Sequence, residues 1–103
     1  LAGRDRDMII SGGVNLYPVE IEEVLARHEG VREVAVIGLP HAEWGEEPVA
    51  VLVGDAEDEE LESFARQRLS SHKVPRRWLR LDELPRNPTG KVLKRELRQR
   101  FQS

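Results

Sequence analysis

Two apolar runs, VREVAVIGL at residues 31–39 and PVAVLVG at residues 48–54, restrict the fold more than any other stretch of the sequence. Both are short, rich in β-branched side chains and nearly unbroken by polar residues. A strand with one wet face alternates in polarity, so these runs read as strands covered on both faces. Whatever surrounds them has to supply the two covers.

The flanking segments can do so. DMIIS and VNLYP flank a Gly-Gly pair, a turn signal for a small hairpin across residues 8–17. Pro18 suits the first turn of a helix, and Glu20, Glu22 and Glu23 complement the positive end of its dipole. Ile21, Val24, Leu25 and His28 share one face of that helix, and Gly30 is placed to stop it. PHAEWGEE, between the two apolar runs, reads as a polar loop. In a second helix Asp58 can act as the cap, with Leu61, Phe64, Ala65 and Leu69 forming the buried stripe. RRWLRLDEL alternates as a third strand, and Leu93, Leu97 and Phe101 stripe a last helix. The predicted class is α+β: a small N-terminal β-hairpin followed by a roughly three-stranded sheet covered by helices. A chain of 103 residues, 39% of them apolar, suits one domain with a small core.

Charge is divided along the chain. Residues 1–65 carry 4 basic and 16 acidic side chains, while residues 66–103 carry 12 basic and 3 acidic ones. The second part is therefore a candidate for meeting an anion. Trp78 and Phe101 are its only aromatics, and it holds no nucleic-acid-binding motif. There is no cysteine, so disulfides and thiolate metal sites are excluded and a reducing, cytoplasmic compartment is expected. His28, His41 and His72 do not fall in a metal-ligand spacing, so no metal site is expected. No apolar run reaches the roughly 18 residues needed for a membrane span, and nothing at the start reads as a signal peptide. The opening LAGRDRDMII lacks an initiator methionine, which suggests a piece of a longer chain.

GRDRDMIISGGVNLYPVEIEEVL, residues 3–25, resembles the hinge-proximal core motif of the adenylate-forming superfamily, which comprises acyl-CoA synthetases, peptide-synthetase adenylation domains and firefly-type luciferases. LPRNPTGKVLKREL, residues 84–97, resembles the last core motif of the same superfamily. With VREVAVIGLPHAEWGEEPVAVLV between them, the resemblance covers essentially the whole chain. It implies that residues 1–103 form the small, mobile C-terminal domain of such an enzyme. The large N-terminal domain, with its phosphate loop and acyl pocket, is absent from the sequence and becomes the implied partner.

In that family a carboxylate attacks the α-phosphate of ATP, pyrophosphate leaves, and a thiol, usually that of coenzyme A, captures the acyl-adenylate. Magnesium arrives with the nucleotide. Two anions meet in the first step, and the transition state lacks a positive donor between them. Lys91 matches the family's adenylation lysine, a compact point charge on a flexible stem. Pro85 and Pro88 restrict its loop, and Gly90 permits close approach or a positive φ. Arg6 falls at the hinge position within residues 1–7, where relatives commonly carry Asp or Lys. Arg4 matches an arginine that contacts the ribose and phosphates.

For coenzyme A, the resemblance implies that Gly12 and Gly13 line the pantetheine tunnel in the thioester pose. Trp44 is an aromatic face for stacking, and Lys73 and Arg76 are candidates for meeting phosphates. His72 and Val74 stand where some ligases of the family have an aromatic and a basic residue. SGGVNLYPVEIEE is similar to synthetases of fatty, aryl or related acids, whereas peptide-synthetase domains carry an arginine where this chain has Asn15. The alternatives are an adenylation domain that loads a carrier-protein thiol, and a stand-alone binding module without chemistry. PRNPTGK also fits the pattern of Pro, four residues and Gly-Lys that bacterial lysine acetyltransferases recognise in relatives, which makes Lys91 a candidate acetylation site.

Overall fold

The structure, a computed structural model, describes residues 7–102. The hairpin forms as expected, from β1 (Ile9–Ser11) and β2 (Val14–Leu16), and Pro18 opens α1 (Pro18–Leu25). The two apolar runs become the long antiparallel strands β3 (Val31–His41) and β4 (Gly45–Gly54). Then come α2 (Asp58–Arg66), a 3-10 turn at Ser71–Lys73, β5 (Arg77–Arg80) and α3 (Lys94–Gln102).

Strand β4 is the centre of the sheet. Its whole length pairs with β3, while its other edge is shared between β5, parallel along Val49–Leu52, and β1, which touches it at Ser11 and Gly45. The hairpin therefore joins the strands β3, β4 and β5 in one five-stranded sheet. The period-2 geometry of a strand explains the unbroken apolar runs. Val36, Ala50 and Leu52 face α1 and α2, among Ile21, Leu25, Leu61 and Ala65. Their chain neighbours Ile37, Val49, Val51 and Val53 face the other way, with Leu84 and Leu97. Both covers exist, so neither face of these strands could afford polar residues.

Three local expectations need correction. PHAEWGEE is not a loop: His41 pairs with Gly45 and Glu46 with Pro40, leaving only residues 42–44 as the turn. Backbone pairing carries the strands past the point where hydrophobicity ends. Helix α1 ends at Leu25, ahead of Gly30, which instead lies where an added Cβ would come within 2.8 Å of Ala56. Asp58 is not the cap of α2 but its first residue; Glu57 precedes it, and the Glu60 carboxylate accepts a hydrogen bond from the Glu57 N–H at 3.0 Å. The Asp58 carboxylate is drawn instead to Arg80, at 2.6 Å.

The divided charge also finds an internal use. Among the described residues, each of the six ion pairs joins an acid from residues 1–65 to a base from residues 66–103. Much of the basic segment is thus neutralised within the fold rather than held for an external anion. The most enclosed pair is Lys94–Glu22, at 2.8 Å, where Glu22 also accepts the Val36 N–H on the open edge of β3.

Candidate functional site

The segment around Lys91 folds into a miniature hairpin. Arg86 and Val92 form an isolated antiparallel bridge, and the Asn87 N–H donates to the Lys91 carbonyl at 2.9 Å. The Gly90 N–H returns to the Asn87 carbonyl at 2.9 Å, closing a turn with Pro88 at its first corner. Gly90 has φ +92°, and an added Cβ would meet nothing within 4 Å. The backbone angle, not close approach, therefore calls for glycine here.

Two residues that the sequence reading overlooked hold this loop. The Asn87 side-chain oxygen accepts from the Thr89 N–H at 3.0 Å, the Thr89 hydroxyl at 2.7 Å and the Lys91 N–H at 2.9 Å. Arg86 donates to the Gly90 carbonyl at 2.7 Å and to Glu33 on β3 at 2.8 Å, so the loop is moored to the sheet. An Asn immediately before Pro is a turn signal with a known mechanism, side chain bonding to backbone two residues on, and could have been read. Lys91 itself is exposed, and among the described residues its ammonium has no ion-pair partner, unlike Lys73 and Lys94.

A different assembly occupies the far end of the β3–β4 hairpin. Gly12 and Gly13, with φ of +58° and +83°, form the two-residue turn between β1 and β2, as a primed turn requires. The Gly12 N–H donates to the Trp44 carbonyl at 2.9 Å. Trp44 is positioned through His41, whose Nδ1 accepts from the Glu43 and Trp44 N–H groups at 3.1 Å. The His41 and Trp44 rings are stacked, with centroids 4.0 Å apart and planes 11° from parallel. The Arg76 guanidinium lies 4.3 Å from the Trp44 ring centre. A cleft of about 200 Å³ opens between Ser11, Gly12, Trp44, Pro48, His72 and Arg76.

The structure therefore brings Gly12, Trp44, His72 and Arg76 together. Gly13 sits at the turn beside them with open space around it. Lys73 is turned elsewhere, with its ammonium 2.9 Å from Glu20 at the start of α1. Val74 is buried in the core under α2, so a charge at this position would be costly in this chain. Arg4 and Arg6 lie outside the described residues. From Glu33, which moors the Lys91 loop, to His41, which seats Trp44, β3 runs eight residues, roughly 26 Å at about 3.3 Å each. The charged loop and the aromatic cleft are at opposite ends of the sheet.

The sequence profile of the AMP-binding enzyme C-terminal domain matches residues 20–91, from the first turn of α1 to Lys91 itself. The chain belongs to that family. Among its relatives, the 2-succinylbenzoate–CoA ligase of Bacillus cereus (strain ATCC 10987 / NRS 248) is 48% identical over 98 residues, which is 93% of this chain and 20% of that protein. The long-chain-fatty-acid–CoA ligase FadD13 of Mycobacterium tuberculosis (strain ATCC 25618 / H37Rv) is 46% identical over 101 residues, covering 95% of this chain and 20% of that one. The crystal structure of ATP-bound MatB from Rhodopseudomonas palustris superposes with a TM-score of 0.91 at 38% identity, over 98% of this chain and 20% of MatB. This AMP-binding enzyme C-terminal domain thus spans about one fifth of the length of the relatives it matches. Among the described residues, none of its helices is long and apolar enough to cross a membrane.

Proposed function

We propose that this chain is the mobile C-terminal domain of an ATP-dependent carboxylic acid–CoA ligase, rotating on a hinge at residues 1–7 around Arg6. Two dissimilar sites at opposite ends of one rigid sheet support this reading. Such a layout suits a domain that serves a single active site twice, presenting a different end each time. ATP supplies the activated phosphorus to which the substrate carboxylate adds, with pyrophosphate leaving.

In the first pose the Lys91 loop faces the larger domain. The ammonium sits between the carboxylate and the α-phosphate, where charge builds in the transition state, and Arg4 meets the ribose and phosphates. Because the loop is held by Asn87 and Arg86, the cation arrives with little backbone freedom left to lose. In the second pose Gly12 and Gly13 lie along the pantetheine, Trp44 stacks on the coenzyme A nucleotide, and Arg76 meets its phosphates, joined by Lys73 only if its ammonium leaves Glu20. The partner is the N-terminal domain of the same polypeptide and the substrate a fatty, aryl or related carboxylic acid. Magnesium comes with the nucleotide, and the setting is cytoplasmic fatty acid metabolism. Acetylation of Lys91 by a lysine acetyltransferase would remove the charge and silence the first half-reaction.

The deciding experiment separates the half-reactions in the full-length enzyme. Lys91→Ala should slow adenylation, read by ATP–pyrophosphate exchange, by the roughly 10²- to 10³-fold typical of a lost transition-state donor. Thioester formation from a supplied acyl-adenylate should be spared. Equal damage to both steps would overturn the reading.

A further inference from the structure

Gly90, at φ +92°, immediately precedes Lys91 and is the most pliable point of the loop. Pro85 and Pro88 fix only their own φ angles and leave Gly90 free. Gly90 itself is tied by its N–H to the Asn87 carbonyl at 2.9 Å and at its own carbonyl by Arg86 at 2.7 Å, while the Asn87 side-chain oxygen holds its two neighbours, Thr89 on one side and Lys91 on the other, at 3.0 and 2.9 Å. A third bond, from the Thr89 hydroxyl at 2.7 Å, keeps that oxygen in place.

We infer that Asn87 is a positioning residue for the Lys91 ammonium: an acceptor clamp across Gly90 that fixes the lysine backbone without touching its side chain. The inference rests on the proposed role of Lys91 and adds to it the group that aims the charge. All three bonds use the side-chain oxygen, and among the described residues the amide NH₂ has no hydrogen-bond partner. The position thus demands an acceptor rather than an amide. A carboxylate can take over the three bonds, and a methyl group cannot.

The test uses the full-length enzyme with Asn87→Ala, Asn87→Asp and Lys91→Ala in parallel. Asn87→Ala should speed hydrogen exchange in the segment 87–92 and slow adenylation by roughly 10- to 100-fold, the scale set by a displacement near 1 Å, with the thioester step unchanged. Asn87→Asp should restore slow exchange and most of the adenylation rate. The clamp is refuted if Asn87→Ala adenylates at the wild-type rate while Lys91→Ala does not, or if Asn87→Asp exchanges as fast as Asn87→Ala. A Lys91→Ala enzyme with intact adenylation would bring down the underlying role of Lys91, a result the Asn87 variants cannot mimic.

Discussion

The two ends of the β3–β4 hairpin solve opposite problems. At one end a single ammonium projects from a loop whose backbone is bonded at every turn, and among the described residues it makes no cation–π contact. At the other, the Trp44 ring stacks on His41 and is approached by Arg76 beside a glycine turn, and the free space is a cleft rather than a protruding charge. A step that builds charge at one atom needs a positive group held at one place, because the interaction falls off with distance and is strongest where the donor is already aligned. A step that seats a long, flexible thiol carrier needs surface and a narrow backbone, and tolerates less exact placement. The lysine end should therefore be sensitive in rate, and the tryptophan end in affinity.

Exchanging the damage is the sharpest way to break that contrast. After Lys91→Ala, with its loss of several hundredfold in adenylation, the next largest effect should come from Trp44→Ala. A lost base–aromatic stack is worth about 1–3 kcal/mol, so the KM for coenzyme A should rise by about 5- to 150-fold. Adenylation should hardly change. A Trp44→Ala enzyme impaired in pyrophosphate exchange would mean that the two ends are not functionally separate.

The turn beneath Trp44 offers a smaller effect. Gly12→Val places a β-branched residue at φ +58°, at a cost of about 1–2 kcal/mol for the left-handed conformation. The new Cβ would stand 3.9 Å from the Trp44 ring, ordinary contact, so strain rather than collision is the cause. A lowered urea midpoint together with a raised KM for coenzyme A is the expected pair of results, and an unchanged midpoint would contradict the strained-turn account.

How far the sequence revealed this arrangement depended on the range of the interactions involved. Local signals were legible: Pro18 opened α1, the Gly-Gly turn made the hairpin, and the apolar runs became doubly covered strands. Long-range pairings were not. Nothing in SGGVN indicates that Ser11 will meet Gly45 and tie the hairpin to the main sheet, nor that GEE, residues 45–47, will pair with the end of the strand before the turn. The same limit applied to the sites. Lys91 and the glycines were readable because motifs are local, and Asn87 could have been read from its place before Pro88. The mooring of Arg86 to Glu33, 53 positions away, and the stacking of Arg76 on Trp44 depend on the finished fold.

Lys73 shows that limit on one side chain, and its removal should have the smallest effect. Its neighbourhood in the sequence, HKVPRR, suggests a phosphate contact, but the ammonium lies 2.9 Å from Glu20, a partly exposed pair. Such pairs are worth about 0.2–1 kcal/mol, less in salt. If the pair persists in the thioester pose, Lys73→Ala should lower stability by no more than that and leave the KM for coenzyme A unchanged. If the lysine leaves Glu20 for a phosphate, the KM should rise several-fold with a strong dependence on ionic strength, and Glu20→Gln should lower it by releasing the cation. Measuring both variants across a salt series therefore decides whether Lys73 belongs to the aromatic end of the sheet or to α1.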